Sequence, residues 1–217
     1  MSERPAIRVI TVSASYGAGG SVVAPRVAQR LGLPFVDRAI PASVAARLEV
    51  PLEDALSHDE RAMSGFWRAL AQLAVAGSVP DASGVLRDGE SDRFRAQTEA
   101  VIRDVADTTG GVVLGRAGAI VLAGRPDTLR VRLDGAVDAR VSQAARFGEL
   151  DEAQARDNQR DFDRAWDGYV RRFYRADATE ARHYDLVLDS TTLGLDLCVE
   201  LIVLAAGRGT AGASGTV

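Results

Sequence analysis

The feature that most constrains this chain is a glycine-rich turn between an apolar run and a helical pattern near its beginning. The apolar run spans residues 7–12, and the turn at 15–21 has the sequence Ser-Tyr-Gly-Ala-Gly-Gly-Ser. Beyond the turn, Val23, Val27 and Leu31 recur at the spacing of one helix face. A turn of this kind presents free backbone N–H groups at a helix N-terminus, so it is typical of a phosphate-binding loop.

The turn matches the P-loop template GxxxxGK[ST] only in part. Gly19 takes the second glycine and Ser21 the residue that reaches Mg²⁺. Ala14 replaces the first glycine, and Gly20 stands where the template has lysine. Two other interpretations stay open at this point: a dinucleotide-binding fingerprint, in which Gly17 and Gly19 form its GxG, and a plain turn of small residues.

Lysine is absent from the whole sequence, because all 26 basic residues are arginine. No mechanism that needs a lysine amine can therefore operate in this chain. The lysine of a P-loop kinase bridges the β- and γ-phosphates of ATP. Its absence favours either arginine as a substitute or a protein that binds nucleotide without transferring phosphate.

Five short apolar runs predict strands, and helical patterns separate them. The runs are 7–12, 34–36, 111–114, 129–133 and 185–188. Strands that alternate with helices indicate an α/β fold with a parallel sheet covered on both faces. Two stretches exceed this alternation, namely 41–96, predicted as a helical insert, and 136–175, which is helical and rich in arginine. We expect one domain over 1–206 and a disordered tail at 207–217.

Composition excludes several classes of protein. The 217 residues are 47% hydrophobic and 26% charged, which is typical of a globular chain. The net charge of −4 argues against a broad nucleic-acid-binding surface. No apolar run approaches the ~18 residues of a membrane span, and the single Cys198 cannot form an intramolecular disulfide. We therefore expect a cytoplasmic protein, a monomer or homodimer, with neither nucleic acid nor membrane as a partner. Small-molecule nucleotides are the partners that the P-loop interpretation of the turn implies.

Four segments resemble the cytidylate kinase-like family, whose members are P-loop nucleoside monophosphate kinases. They are LVLDSTTL at 186–193, VVLGR at 112–116, RVRLD at 130–134 and RDFDR at 160–164. The resemblance implies a three-layer P-loop NTPase fold with a five-stranded parallel sheet. It also implies that the insert at 41–96 binds a monophosphate and that 136–175 forms an Arg-rich lid. The implied reaction transfers the γ-phosphoryl group of ATP to CMP or dCMP with Mg²⁺.

The same resemblance implies roles for individual residues. The ATP phosphates would be bound by Ser15, Tyr16, Gly17, Ala18, Gly19, Gly20 and Ser21, with Ser21 also on the metal. The catalytic arginines would be Arg116, Arg140 and Arg160, and the substrate would be bound by Asp37, Arg116, Asp161 and Arg164. Arginine suits such roles because its planar guanidinium is always charged and matches phosphate geometry.

Overall fold

One parallel sheet organises the structure, a computed structural model that describes residues 5–36, 88–115 and 117–207. Its strands are β1 (Val9–Ala14), β2 (Phe35–Val36), β3 (Gly111–Leu114), β4 (Thr128–Asp134) and β5 (Leu186–Asp189). They lie in the order β2-β3-β1-β4-β5, and every neighbouring pair is parallel. The five predicted strands are confirmed, with their ends shifted by one or two residues.

Helices connect the strands and cover the sheet on both faces. In the described residues they are α1 (Gly20–Leu31), α2 (Asp88–Asp107), α3 (Gly118–Val121), α4 (Val137–Gly148), α5 (Glu152–Tyr174), α6 (Ser190–Leu193) and α7 (Leu195–Ala205), with a 3-10 helix at Ala181–His183. One face packs against α1 and α7 through residues such as Val27 and Ile202. The other packs against α2 through Ile102. The chain therefore has the predicted α/β fold with helices on both faces of a five-stranded parallel sheet.

The strand order separates the interpretations of the glycine-rich turn. In the classic dinucleotide-binding fold, the first strand lies beside the second, in the order 3-2-1-4-5-6. Here β1 lies between β3 and β4, and β2 is at the edge beside β3. The dinucleotide-binding interpretation is therefore wrong for this sheet, and the turn follows β1, the central strand.

The arginine-rich region 136–175 folds as the helical pair α4 and α5, as predicted. Asp151 caps α5 by accepting a hydrogen bond from the Gln154 N–H at 2.8 Å. The inner faces of the two helices share a hydrophobic cluster that includes Phe162 and Trp166. Tyr16 of the glycine-rich turn belongs to the same cluster, and its ring centroid lies 5.9 Å from that of Phe162. The pair thus packs directly on the turn.

Several sequence-based expectations fall on residues that the structure leaves undescribed. These residues include Asp37, Arg116, most of the insert (41–87 of 41–96) and nearly all of the tail (208–217). Cys198 of α7 is fully buried in the hydrophobic core, as its place on an apolar helix face predicts. Within the described ranges, no helix is both long enough and apolar enough to cross a membrane.

Candidate functional site

The glycine-rich turn forms a loop between the carboxyl end of β1 and the first turn of α1. Gly17 and Gly19 adopt φ values of 73° and 75°, in the left-handed region that favours glycine. A Cβ on Gly17 would overlap the backbone carbonyl of Arg140, and one on Gly19 would lie 2.5 Å from the Leu195 side chain. Both glycines are therefore required by conformation and by close packing.

Three successive loop carbonyls each accept a hydrogen bond from a side chain outside the loop. The pairs are Arg140 Nη1 with Tyr16 O at 2.7 Å, Gln143 Nε2 with Gly17 O at 2.8 Å and Ser190 Oγ with Ala18 O at 2.8 Å. Two of these donors belong to α4 and the third begins α6. The loop is thus held by elements far from it in the sequence.

The loop also carries amide groups that nothing in the described residues engages. The N–H groups without an acceptor there belong to Gly17, Gly19, Gly20 and Ser21. Two of them open α1, where first-turn N–H groups have no intrahelical acceptor. Unengaged N–H groups at the positive end of a helix dipole are the donors that a phosphate group binds. The residues present therefore fit the phosphates of ATP.

Gly20 has no room for a side chain at the position of the template lysine. A Cβ on this residue would lie 2.6 Å from the Cβ of Ala14 and 3.2 Å from Leu114 Cδ1. Atoms bonded directly to the backbone cannot yield by that much without moving the strand. A cationic side chain at the loop would therefore have to come from elsewhere in the chain, and the loop itself can offer an anion only its main-chain N–H groups.

An ion pair between the buried Arg140 and the partly exposed Asp163 holds both backbone groups of Tyr16. Arg140 is 4% exposed, and besides Tyr16 O it donates to Gly135 O and to Asp163 Oδ2, each at 3.0 Å. The other oxygen of Asp163 accepts the Tyr16 N–H at 3.2 Å. In this arrangement the guanidinium of Arg140 is directed at the loop backbone. The prediction that Arg140 contacts phosphate stays a prediction.

A second buried arginine ties the loop to the end of β4. Arg132 donates from Nη2 to Ser15 Oγ at 3.0 Å and to Asp134 Oδ2 at 2.7 Å, and from Nη1 to Ala178 O at 2.9 Å. Burial raises the pKa of Asp134, but the charge and hydrogen bonds of Arg132 outweigh it and hold that pKa below its ordinary value. Ser15 therefore contacts the ionised carboxylate of Asp134 and the guanidinium of Arg132 that neutralises it.

Helix α5 presents the predicted residues of the RDFDR segment on different sides. Arg160 and Arg164 are one turn apart and exposed, and Arg160 shares a face with Asp163 at the i, i+3 spacing. Asp161 and Asp163 are two residues apart, so they do not face each other. Asp163, whose Oδ1 accepts the Tyr16 N–H, is a loop contact that the sequence analysis did not name, and the prediction that Asp161 binds the substrate stays a prediction.

Sequence analysis missed four side chains that hold the loop, namely Arg132, Gln143, Asp163 and Ser190. Three of them belong to segments that it did single out: Ser190 to LVLDSTTL, Arg132 to RVRLD and Asp163 to RDFDR. In the first segment, only the helix cap is evident from sequence, and Asp189 does cap α6 by accepting the N–H groups of Thr191 and Thr192 at 3.0 Å each. A cap signature gives no sign that the next residue, Ser190, is turned toward the loop.

Comparisons with known proteins agree with this geometry. The profile of the cytidylate kinase-like family matches residues 9–192, which include every strand and the loop. Among proteins with curated functions, none matches the sequence significantly.

A solved structure shares the fold over nearly its full length. It is an uncharacterised protein from Eubacterium ventriosum, 15% identical, with a TM-score of 0.63 and coverage of 92% of this chain and 98% of that one. A sugar kinase from a Janibacter species gives 16% identity and a TM-score of 0.48, with 93% and 96% coverage. A shikimate kinase from Acinetobacter baumannii is 14% identical with a TM-score of 0.46, and the match covers 92% of this chain and 94% of that one. At these identities the likeness concerns the fold alone.

Proposed function

This chain belongs to the cytidylate kinase-like family, and from that membership we propose that it is an ATP-dependent phosphotransferase with CMP or dCMP as its acceptor. The observation that carries the proposal is the loop itself. Its carbonyls at residues 16–18 are bound by outside side chains, while four of its N–H groups have no acceptor in the part of the chain that the structure describes. That is the arrangement needed to bind the phosphates of a nucleotide.

Phosphoryl transfer asks a protein mainly for positioning and for positive charge around the transferred group. The loop N–H groups would bind the ATP phosphates, and the hydroxyl of Ser21, in the first turn of α1, would hold Mg²⁺. The metal supplies charge neutralisation at the phosphates when it is bound. The loop, held from three sides, supplies the fixed geometry.

Arginine would replace the missing lysine as the cationic side chain. Arg160 and Arg164 are candidates because they are exposed on α5 beside Asp163, which touches the loop. Arg116 follows β3, which lies next to the loop strand in the sheet, so we propose that it binds the acceptor phosphate. We propose that Asp37 and Asp161 accept hydrogen bonds from the acceptor.

The test is ADP formation from Mg²⁺-ATP with CMP, dCMP, UMP, AMP or no acceptor in parallel reactions. We expect ADP formation that depends on CMP or dCMP. Ser21→Ala should weaken ATP binding in the presence of Mg²⁺ and leave the metal-free affinity unchanged. Absence of turnover with every acceptor, together with ATP binding by calorimetry, would replace the proposal with a nucleotide-binding protein that transfers nothing. The closed packing at Gly20 is the observation that favours this second candidate.

A further inference from the structure

We propose that Ser190 and Arg140 are positioning residues that orient the two loop amides facing the phosphate. This inference rests on the proposed function, since it concerns how the same loop binds an anion. Neither side chain needs to touch the ligand. Each acts through the carbonyl of one peptide unit, whose N–H group belongs to the following residue.

The argument follows from peptide planarity. In a trans peptide the C=O and the next N–H point in opposite directions, and no peptide bond in the described residues is cis. Arg140 holds the carbonyl of Tyr16, so the N–H of Gly17 is directed to the opposite side. Ser190 holds the carbonyl of Ala18, which directs the N–H of Gly19 in the same manner. These two N–H groups are among the four without an acceptor.

The peptide between them provides an internal contrast. Gln143 holds the carbonyl of Gly17, but the N–H of that peptide belongs to Ala18 and already donates to Ser15 O at 3.0 Å. Orientation of this peptide therefore adds no donor to the anion site. We infer that Gln143 stabilises the loop without setting its affinity for phosphate.

Ser190 is the more informative of the two positioning residues. It is fully buried, and its hydroxyl lies 2.8 Å from Ala18 O and 3.2 Å from Asp134 O. The hydroxyl thus joins the loop to the end of β4. Without it, the Ala18 carbonyl loses its partner and the peptide can rotate, so the loop must pay the ordering cost when the anion binds.

The experiment compares the wild type with Ser190→Ala, Gln143→Met and Thr192→Ala by calorimetry with inorganic pyrophosphate and with Mg²⁺-ATP. Thr192 is the matched control, because it lies in the same short helix as Ser190 and its hydroxyl donates to the N-cap residue Asp189 rather than to a loop carbonyl. We expect Ser190→Ala to bind both probes about tenfold more weakly. The loss of affinity in Gln143→Met should be less than half of that factor, and the affinities of Thr192→Ala should equal those of the wild type.

A spectroscopic readout on the wild type keeps the inference testable if Ser190→Ala fails to fold. On titration with pyrophosphate, the amide proton resonances of Gly17 and Gly19 should move downfield, while that of Ala18 should barely move. Equal affinities for Ser190→Ala and wild type, or a larger shift at Ala18, would overturn the inference and leave the proposed function standing. A wild type that binds neither probe would overturn both.

Discussion

The Cβ of Ala14 fills the space that a side chain on Gly20 would need. The distance between it and a Cβ on residue 20 would be 2.6 Å, well inside van der Waals contact. In the P-loop template these two positions hold glycine and lysine, and here they hold alanine and glycine. The two departures from the template therefore depend on each other. The template has a Cβ at the lysine position and none at the first glycine, whereas this chain has a Cβ at position 14 and none at position 20.

This exchange predicts that lysine at position 20 is tolerated only when position 14 is glycine. Gly20→Lys alone should lower the free energy of unfolding by about 1 to 3 kcal/mol, because the new side chain overpacks the contact. Ala14→Gly with Gly20→Lys should recover most of that loss. A double-mutant cycle measured by urea unfolding gives the coupling free energy between the two positions, expected at about 1 to 2 kcal/mol. Additive effects of the two substitutions would show that the contact does not exclude lysine.

Gly17 provides a prediction about the contact between the loop and α4. Gly17→Ala should destabilise the protein by about 1 kcal/mol through its positive φ, and by roughly 1 to 3 kcal/mol more through overlap with the Arg140 carbonyl. Gly124 is the matched control, since its φ is 81° and nothing lies within 4 Å of a Cβ there. Thermal and urea unfolding of both alanine variants separate the two effects. Equal losses for the two variants would mean that α4 does not press on the loop.

The ion pair between the buried Arg140 and the partly exposed Asp163 predicts a clear loss of stability on truncation. Arg140→Met leaves the Tyr16 carbonyl without its donor and Asp163 without its cationic partner, and should cost about 1 to 3 kcal/mol of unfolding free energy. Arg156→Met removes an arginine from a more exposed pair with Asp138, and should change stability by less than about 1 kcal/mol. Urea denaturation of the two variants provides the comparison. Similar losses for both would contradict the assignment of Arg140 to the loop.

Asp167 provides a pH-dependent prediction. Burial raises its pKa, the charges of Asp163 and Asp177 add to this, and Arg171 and Arg132 partly oppose it. Between the unfolded pKa and the higher folded pKa, the Asp167 carboxyl group is protonated in the folded state but ionised in the unfolded state. The free energy of unfolding therefore falls as pH rises through that interval. Asp167→Asn removes this penalty, and should raise stability at neutral pH with no gain well below pH 4.

The control for that measurement is Asp157→Asn, which removes the same charge from an α5 side chain that is 76% exposed. Unfolding free energies of both variants and wild type are measured across the acidic and neutral range. A stability gain for Asp167→Asn that persists unchanged at the lowest pH would point to a cause other than ionisation of this carboxyl group.

Local patterns were sufficient to predict much of this protein. The strand of residues 9–14, the turn after it and the helix stripe of Val23, Val27 and Leu31 follow from periodicity and glycine placement, which act over a few residues. The apolar run at 185–188 predicted the last strand in the same way. These features are local because backbone propensity and capping depend on neighbours in the chain.

The side chains that hold the glycine-rich loop depend on contacts between distant parts of the chain. Arg140 and Ser190 follow Tyr16 and Ala18 by 124 and 172 residues, respectively. The sequence by itself determined the parallel α/β fold, the loop and the absence of lysine. Only the tertiary structure decided that Ala14 closes the lysine position and which side chains hold the loop carbonyls. The physical reason is that sheet order and helix packing bring these groups together, and a local sequence pattern gives no information on contacts between residues more than a hundred positions apart.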